Sequence, residues 1–489
     1  MPRRADANSI YCPTPATWQP QLSMGNQTFT TSQQWGFNPS LRSPYIQEWN
    51  FGIQRQIGTR SAIEARYVGN LALRSWLSYN LNEVNIYENG FLSEFQAAQN
   101  NLAIANGITV AQLTALPPVA LKTANFANQG LPGQVSLPIM TAAFGSATGT
   151  NYNNSGFVTN LQTGAAGAMA NTITQNQTYI CNMFGVSFSP CAAKGVTTPN
   201  KGFPINFWQV NPFATGRAVN FEDSSGHSNY NALQVEFRQR PFHGAQFNVN
   251  YTWAHGFALM AQNAIQGMGS AIYYTNRNFR LNYIPSSYDI RQVVHISGTY
   301  DLPFGKGKAF LPQNSVADKV LGGWTFGTIT TFQTGTPVIV NGGYSTMNTS
   351  DPGVILQNGL TAKQVQSSMG VYHTGSPWTY FINPQYIAGN GAAAASLAPD
   401  NIAGVYGYHP ILYGPHWFNI DFSLNKTVTV HEHFRTTLQA ECLNAMNHPT
   451  WGPVTSGTSS VSVQSNGFGQ TTGGPTGPRV IEFRLNVEF

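Results

Sequence analysis

Four cysteines and a few clusters of histidine, acid, glycine and lysine are the residues of this 489-residue chain whose types and spacing could do chemistry. Cys181 and Cys191 lie ten apart. In the oxidising setting that the loop pattern below gives them they are expected to form a disulfide, the alternative being two free thiols. Zinc suits them less, because neither a histidine nor a second cysteine pair lies nearby at metal-site spacing. Cys442 sits in an alternating stretch on the side of Phe434 and Leu438 and reads as a small apolar residue. Cys12 has no assignable place, and whether it pairs with Cys442 stays open. His431-Glu432-His433 has metal-ligand types, but in a tight turn, so no metal is expected there. Gly305-Lys306-Gly307-Lys308 is basic and glycine-bearing, yet it does not join a strand to a helix, so a turn is expected and not a phosphate cradle. Glu222 and Asp223 are adjacent, which sets no general-acid separation. The chain has no GxSxG elbow, HExxH pair, Walker loop or dinucleotide fingerprint. The expectation is a protein that is not an enzyme and uses no cofactor.

The elements around these residues are strands. At 479–489, Ile481, Phe483, Leu485, Val487 and Phe489 point one way, and Val480, Glu482, Arg484, Asn486 and Glu488 the other. Period-two alternation makes a strand with one greasy and one wet face. The same pattern returns at 245–255, where Phe247, Val249, Tyr251 and Trp253 alternate with Gln246, Asn248, Asn250 and Thr252. It returns again at 45–57, 229–240 and 417–428. Segments of about ten such residues suit membrane-spanning barrel strands. The polar sets, rich in Asn, Gln and Thr, suit a water-filled lumen.

Composition agrees. Charged residues are 9%, against roughly 25% in ordinary soluble domains. Aromatics reach 12%, yet mean hydropathy is only -0.20. No stretch approaches the ~18 continuous apolar residues of a transmembrane helix. The net charge of +5 is thinly spread and no basic block points to nucleic acid.

Nine strands are read, at 45–57, 61–70, 229–240, 245–255, 291–301, 322–334, 417–428, 433–446 and 479–489. Their connections alternate between short and long, as periplasmic turns and external loops must. With Phe489 on the periplasmic side, 71–228, 256–290, 335–416 and 447–478 all fall outside. Trp253 and Trp417 are then expected near the outer interface, and Tyr300 and Trp324 near the inner one. The expected fold is an all-β, antiparallel transmembrane β-barrel, partial in circumference, with long extracellular loops. Its expected layout is a loop-like segment at 1–44 and a barrel at 45–489 interrupted by the loop 71–228. Within that loop an amphipathic helix is expected at 90–106, with Phe91, Phe95, Ala98 and Leu102 on one face. The small residues from Gly164 to Ala170 read as surface coil.

Several segments resemble the Oar-like branch of TonB-dependent outer-membrane receptors. They are SPYIQEWNFGIQRQI at 43–57, SNYNALQVEFRQR at 228–240, FNVNYTWAH at 247–255 and DIRQVVHISGTYDLPFGKGK at 289–308. LGGWTFGTITTFQTGTPV at 321–338, RTTLQAECLNAMNHPTWGPV at 435–454 and the final strand complete the set. The likeness is strongest over 228–489. It implies a 22-stranded barrel in a Gram-negative outer membrane, with a plug ahead of it, taking up a bulky nutrient such as a glycan fragment or chelated metal. The expected partners are outer-membrane lipid, the barrel-assembly machinery, an unknown extracellular ligand and, in the full-length receptor only, the TonB energy-coupling complex. Phe483, Leu485, Val487 and Phe489 are the expected assembly signal. No signal peptide, plug or TonB box is read ahead of Tyr45, so the sequence is read as a receptor fragment not competent for transport alone. The alternatives are a surface-binding or adhesive outer-membrane barrel, and a secreted carbohydrate-binding β-protein. Strand 479–489 is not expected to close on 45–57.

Overall fold

The structure is a computed structural model, and it describes residues 34–214, 219–259, 274–305, 307–310, 316–349, 353–375, 378–431, 434–449, 451, 461–471 and 477–488. Its spine is one antiparallel sheet of nine long strands. They are β1 (Tyr45–Ile57), β2 (Ser61–Asn80), β3 (Val219–Phe242), β4 (Ala245–Leu259), β5 (Gln292–Asp301), β6 (Trp324–Gln333), β7 (Trp417–His431), β8 (Phe434–Leu443) and β9 (Val480–Glu488). Spatial order follows chain order from β1 to β9. All nine fall where the alternation put them.

Turn chemistry sets the register. Between β3 and β4, His243 and Gly244 both have positive φ, at 48° and 82°. Two such residues in succession match the twist of the flanking strands, which lets Phe242 pair with Ala245. Short turns and the connection from β5 to β6 lie at one end of the sheet. The end of β9 joins them there, because Glu488 pairs with Arg435 beside the β7–β8 turn.

The sheet is open. β1 and β9 are its two edges, and among the described residues they do not pair with each other. Because nine is odd, both edge strands run towards the short-turn end, so they are unable to meet as antiparallel neighbours. Residues of both are exposed along their whole length.

Three expectations need correction. β2 continues to Asn80 and β3 begins at Val219, so the excursion read at 71–228 shrinks, and it is not loop-like. It folds into helices, including Phe91–Asn106, Pro138–Phe144, Ser155–Gln162, Ala166–Gln175 and Gln177–Phe184. Phe91, Phe95, Leu102, Met140, Leu161, Met169 and Ile173 share their core. The stretch from Gly164 to Ala170 is no surface coil: Ala166 and Ala170 are fully buried, because only small side chains fit between packed helices. The segment read as loop-like at 1–44 contains the strand Gln34–Phe37, which pairs in parallel with Val219–Glu222. The long connection after β6 also holds structure, with short strand pairs around Val338, Phe381 and Leu412, and Phe468 from the connection after β8 shares their core. Among the described residues no helix is long and apolar enough to cross a membrane, which does not bear on a barrel.

Candidate lumenal surface and extracellular roof

Register turns the alternation of single strands into two continuous faces. One row runs Ile53, Ala65, Val235, Tyr251, Val294, Phe332, Phe418 across seven strands. The row beside it runs Gln54, Glu64, Glu236, Asn250, His295, Thr331, Asn419. A slip of one residue would exchange the two faces, so agreement over seven strands fixes the assignment.

The polar face is the concave one. A trough of about 880 Å³ is lined at once by Gln54 of β1, Arg238 of β3, Asn248 of β4, Thr299 of β5 and Ser423 of β7. Side chains from the first and seventh strands meet one cavity only if the sheet curls around that side. Carboxylates Glu64 and Glu236 are direct cross-strand neighbours, an unfavourable placement for like charges. Arg66 pairs with Glu64, and Arg238 bridges Glu64 at 3.5 Å and Glu236 at 3.3 Å. Asn248 donates its amide to Glu236 at 3.1 Å. The result is a wet wall of balanced charge and amides, suited to polar solutes.

The convex face is apolar and bare. Phe51, Ile53, Phe247, Trp253, Phe483, Leu485 and Val487 are all exposed, Phe483 to 76%. Exposed rows of this size belong in lipid. At the short-turn end, Lys426 lies 5.0 Å above the Trp324 ring and donates to the carbonyl oxygens of Val320 and Gly322. A lysine that reaches past an indole to polar groups marks a membrane interface. Trp417 is corrected: it pairs with Gln333 and shares the face of Asn419, so it belongs to the lumenal side and not to the outer belt. Cys442, half-buried, pairs with Phe422 and Ile481 on the apolar face. Phe489, Cys12, Glu432 and His433 lie outside the described residues.

Above the far end of the sheet sits a roof made of the helical insert and the connection 334–416. In the insert, Cys181 and Cys191 carry a disulfide with Cα atoms 5.5 Å apart. The two roof pieces interlock. Tyr87 donates to the Gly404 carbonyl at 2.9 Å, and Asn348 donates to Glu83 at 2.7 Å. Asp289, buried, ties the roof to the strands, accepting from the Gly256 N–H at 2.9 Å and the Tyr413 hydroxyl at 2.6 Å, with His255 Nδ1 at 2.8 Å. Burial beside Tyr274 and Tyr406 pulls His409 down to about 4, so it stays neutral. Tyr87, Asp289, Asn348, His409 and Tyr413 escaped the sequence reading because they lie in connections without periodicity, where composition carries no positional signal. Among the described residues no cluster of three or more His, Cys, Asp or Glu is placed to hold a metal.

A curled antiparallel sheet, apolar outside and polar within, defines a β-barrel wall of the bacterial outer membrane. The chain belongs to the outer membrane beta barrel domain family, whose model matches residues 3–482, and its place is the outer membrane. Among solved structures it is similar to the outer membrane transporter YddB from Escherichia coli, at 10% identity and a TM-score of 0.36. That match covers 95% of this chain and 36% of the other, so the chain spans little more than a third of that protein. It is more loosely similar to a FadL homologue of Pseudomonas aeruginosa, at 7% identity and a TM-score of 0.17, covering 91% and 66%. No curated protein matches the sequence.

Proposed function

We propose that this chain is barrel wall and roof of a TonB-dependent receptor of the Oar-like branch, one that admits a bulky polar nutrient from outside the cell. The observation that carries it is the unbroken polar row from Gln54 to Asn419 on the concave face, beneath a folded extracellular roof. A polar, charge-balanced interior suits the passage of a polar solute. Energy coupling in this reading comes from the TonB complex, and insertion from the barrel-assembly machinery acting on the exposed Phe483, Leu485 and Val487. Neither an enzymatic step nor a cofactor is part of it.

The test is uptake in the native host. Cells with and without the gene are given fluorescent oligosaccharides and chelated iron, with the proton-motive force intact or collapsed. Uptake that needs both the gene and the gradient is expected. Equal uptake in both strains, with loss of surface attachment in the deletion, favours the adhesive reading instead.

A further inference from the structure

We infer that the roof carries a binding cleft for a neutral, hydroxyl-rich saccharide, lined by Glu83, Asn85, Glu88, Asn206, Val210 and Arg277. The inference deepens the receptor reading and rests on it for its setting. The cleft lies just past the outer end of β2, where the helical insert leaves the sheet and rejoins it. Its volume is about 380 Å³, within the usual range of small-molecule sites, roughly 300–1,000 Å³.

Its floor is rigid. Trp208 is buried, donates to the Met183 sulfur at 3.4 Å, and packs edge-on against Phe91 and Phe207 at 4.8 and 4.9 Å. Its charges are already engaged. Arg277 holds Glu88 through two contacts of 2.5 and 2.6 Å and lies 4.6 Å over the Tyr87 ring. The Glu83 carboxylate accepts from the Thr275 hydroxyl at 2.8 Å, the Asn276 N–H at 2.6 Å and Asn348 at 2.7 Å.

Two carboxylates and one guanidinium leave the lining at a net charge of -1 (1 − 2). An anionic ligand, whether a phosphate or a carboxylate chelate, therefore meets surplus negative charge, with the lining's one guanidinium committed elsewhere. Exposed around that pair are the Asn206 amide and the Val210 side chain, the latter 72% exposed. An amide beside a bare apolar patch, with carboxylates fixed in place, matches the mixed polar and apolar faces of a sugar ring. Because protein groups already hold those carboxylates, little ordering is lost on binding.

The test uses the protein purified in detergent, titrated with neutral malto-, cello- and xylo-oligosaccharides, with galacturonate oligomers and with glucosamine oligomers. At least one neutral series is expected to bind, and Val210→Trp, which fills the cleft from an exposed position, should weaken it about tenfold or more. Asn206→Ala should weaken it in the same direction. The inference is overturned if only the charged series bind, if nothing binds, or if neutral binding is untouched by Val210→Trp. Binding is read without transport, so the two readings fail separately. Cleft binding without gene-dependent uptake removes the transporter alone, and gene-dependent uptake that survives Val210→Trp removes the cleft alone.

Discussion

The Glu94 carboxylate accepts the backbone N–H of Met140 at 2.6 Å and also that of Ile139 at 2.8 Å. One acid thus ties the helix Phe91–Asn106 to the first turn of Pro138–Phe144, where free N–H groups and the helix dipole favour a negative partner. Burial acts against this and prevails, pushing Glu94 up to about 7 although both N–H groups pull it down.

A pH dependence of the insert follows. Glu94 is raised on folding from an ordinary value of 4.5, so its contribution is complete below 4.5 and is lost as pH rises through 7. The loss amounts to roughly 3 kcal/mol. Melting of the helical signal at 222 nm in detergent should come at a lower temperature at pH 8 than at pH 5. In Glu94→Gln that difference should largely vanish. Equal pH slopes in the two proteins refute the assignment.

Lipid contact is tested on β4. Val249 faces Phe237 and Ile296 across the sheet, whereas Asn248 bonds Glu236 on the other side. Val249→Arg near mid-membrane should cost roughly 2–4 kcal/mol, while an arginine on the lumenal side is tolerated. Spin labels at 247 and 249 should report lipid, and labels at 246 and 248 water. The reverse pattern would mean that the faces are inverted.

What was legible follows from this contrast. Strands β1 to β9 could be read because one face meets lipid and the other water, so Phe247 and Asn248 differ in type as well as in place. Trp417 shows where residue type alone fails: an aromatic ring at a strand end carries no side preference, and it is its place two residues before Asn419, together with its pairing with Gln333, that puts it on the lumenal face. In the insert the helix Phe91–Asn106 and the Cys181–Cys191 pair could be read, but the rest could not, for another reason. Ala166, Met169 and Ala170 are buried by neighbours distant in sequence, so a small-residue run looks the same in a packed helix as in coil. The cleft residues Glu83 and Asn206 come from the two ends of the insert and Arg277 from the connection between β4 and β5, and only the fold brings them together.

The cysteine pair gives a chemical test. Cys191 is fully buried and Cys181 nearly so, within the core of the insert. In protein denatured without reductant, neither should react with an alkylating reagent, and a digest should yield a peptide joining 181 to 191. Cys191→Ser should lower the stability of the insert by about 2–4 kcal/mol, read at 222 nm. Alkylation of both residues before reduction would sink the idea.

Gly167 tests how the roof is held together. A Cβ there would lie 2.5 Å from both the N and the Cα of Asn348, and 2.7 Å from the carbonyl carbon of Met347. These are backbone atoms, and they are pinned. The Ala168 N–H donates to the Ser345 carbonyl at 3.2 Å, and Asn348 donates to Glu83 and to the Tyr274 carbonyl, each at 2.7 Å. Neither side is free to step back, so the added methyl must pry the helix Ala166–Gln175 away from the connection 334–416. Gly167→Ala should cost roughly 1–3 kcal/mol, as overpacking of a close contact does. It should also open 345–349 to protease in intact cells, because the segment loses the surface it lies on. Thr172→Ala, at an exposed position of the same helix, should leave the cleavage pattern unchanged. Equal protection of 345–349 in Gly167→Ala and the parent protein would show that the helix and the connection are not locked at this point.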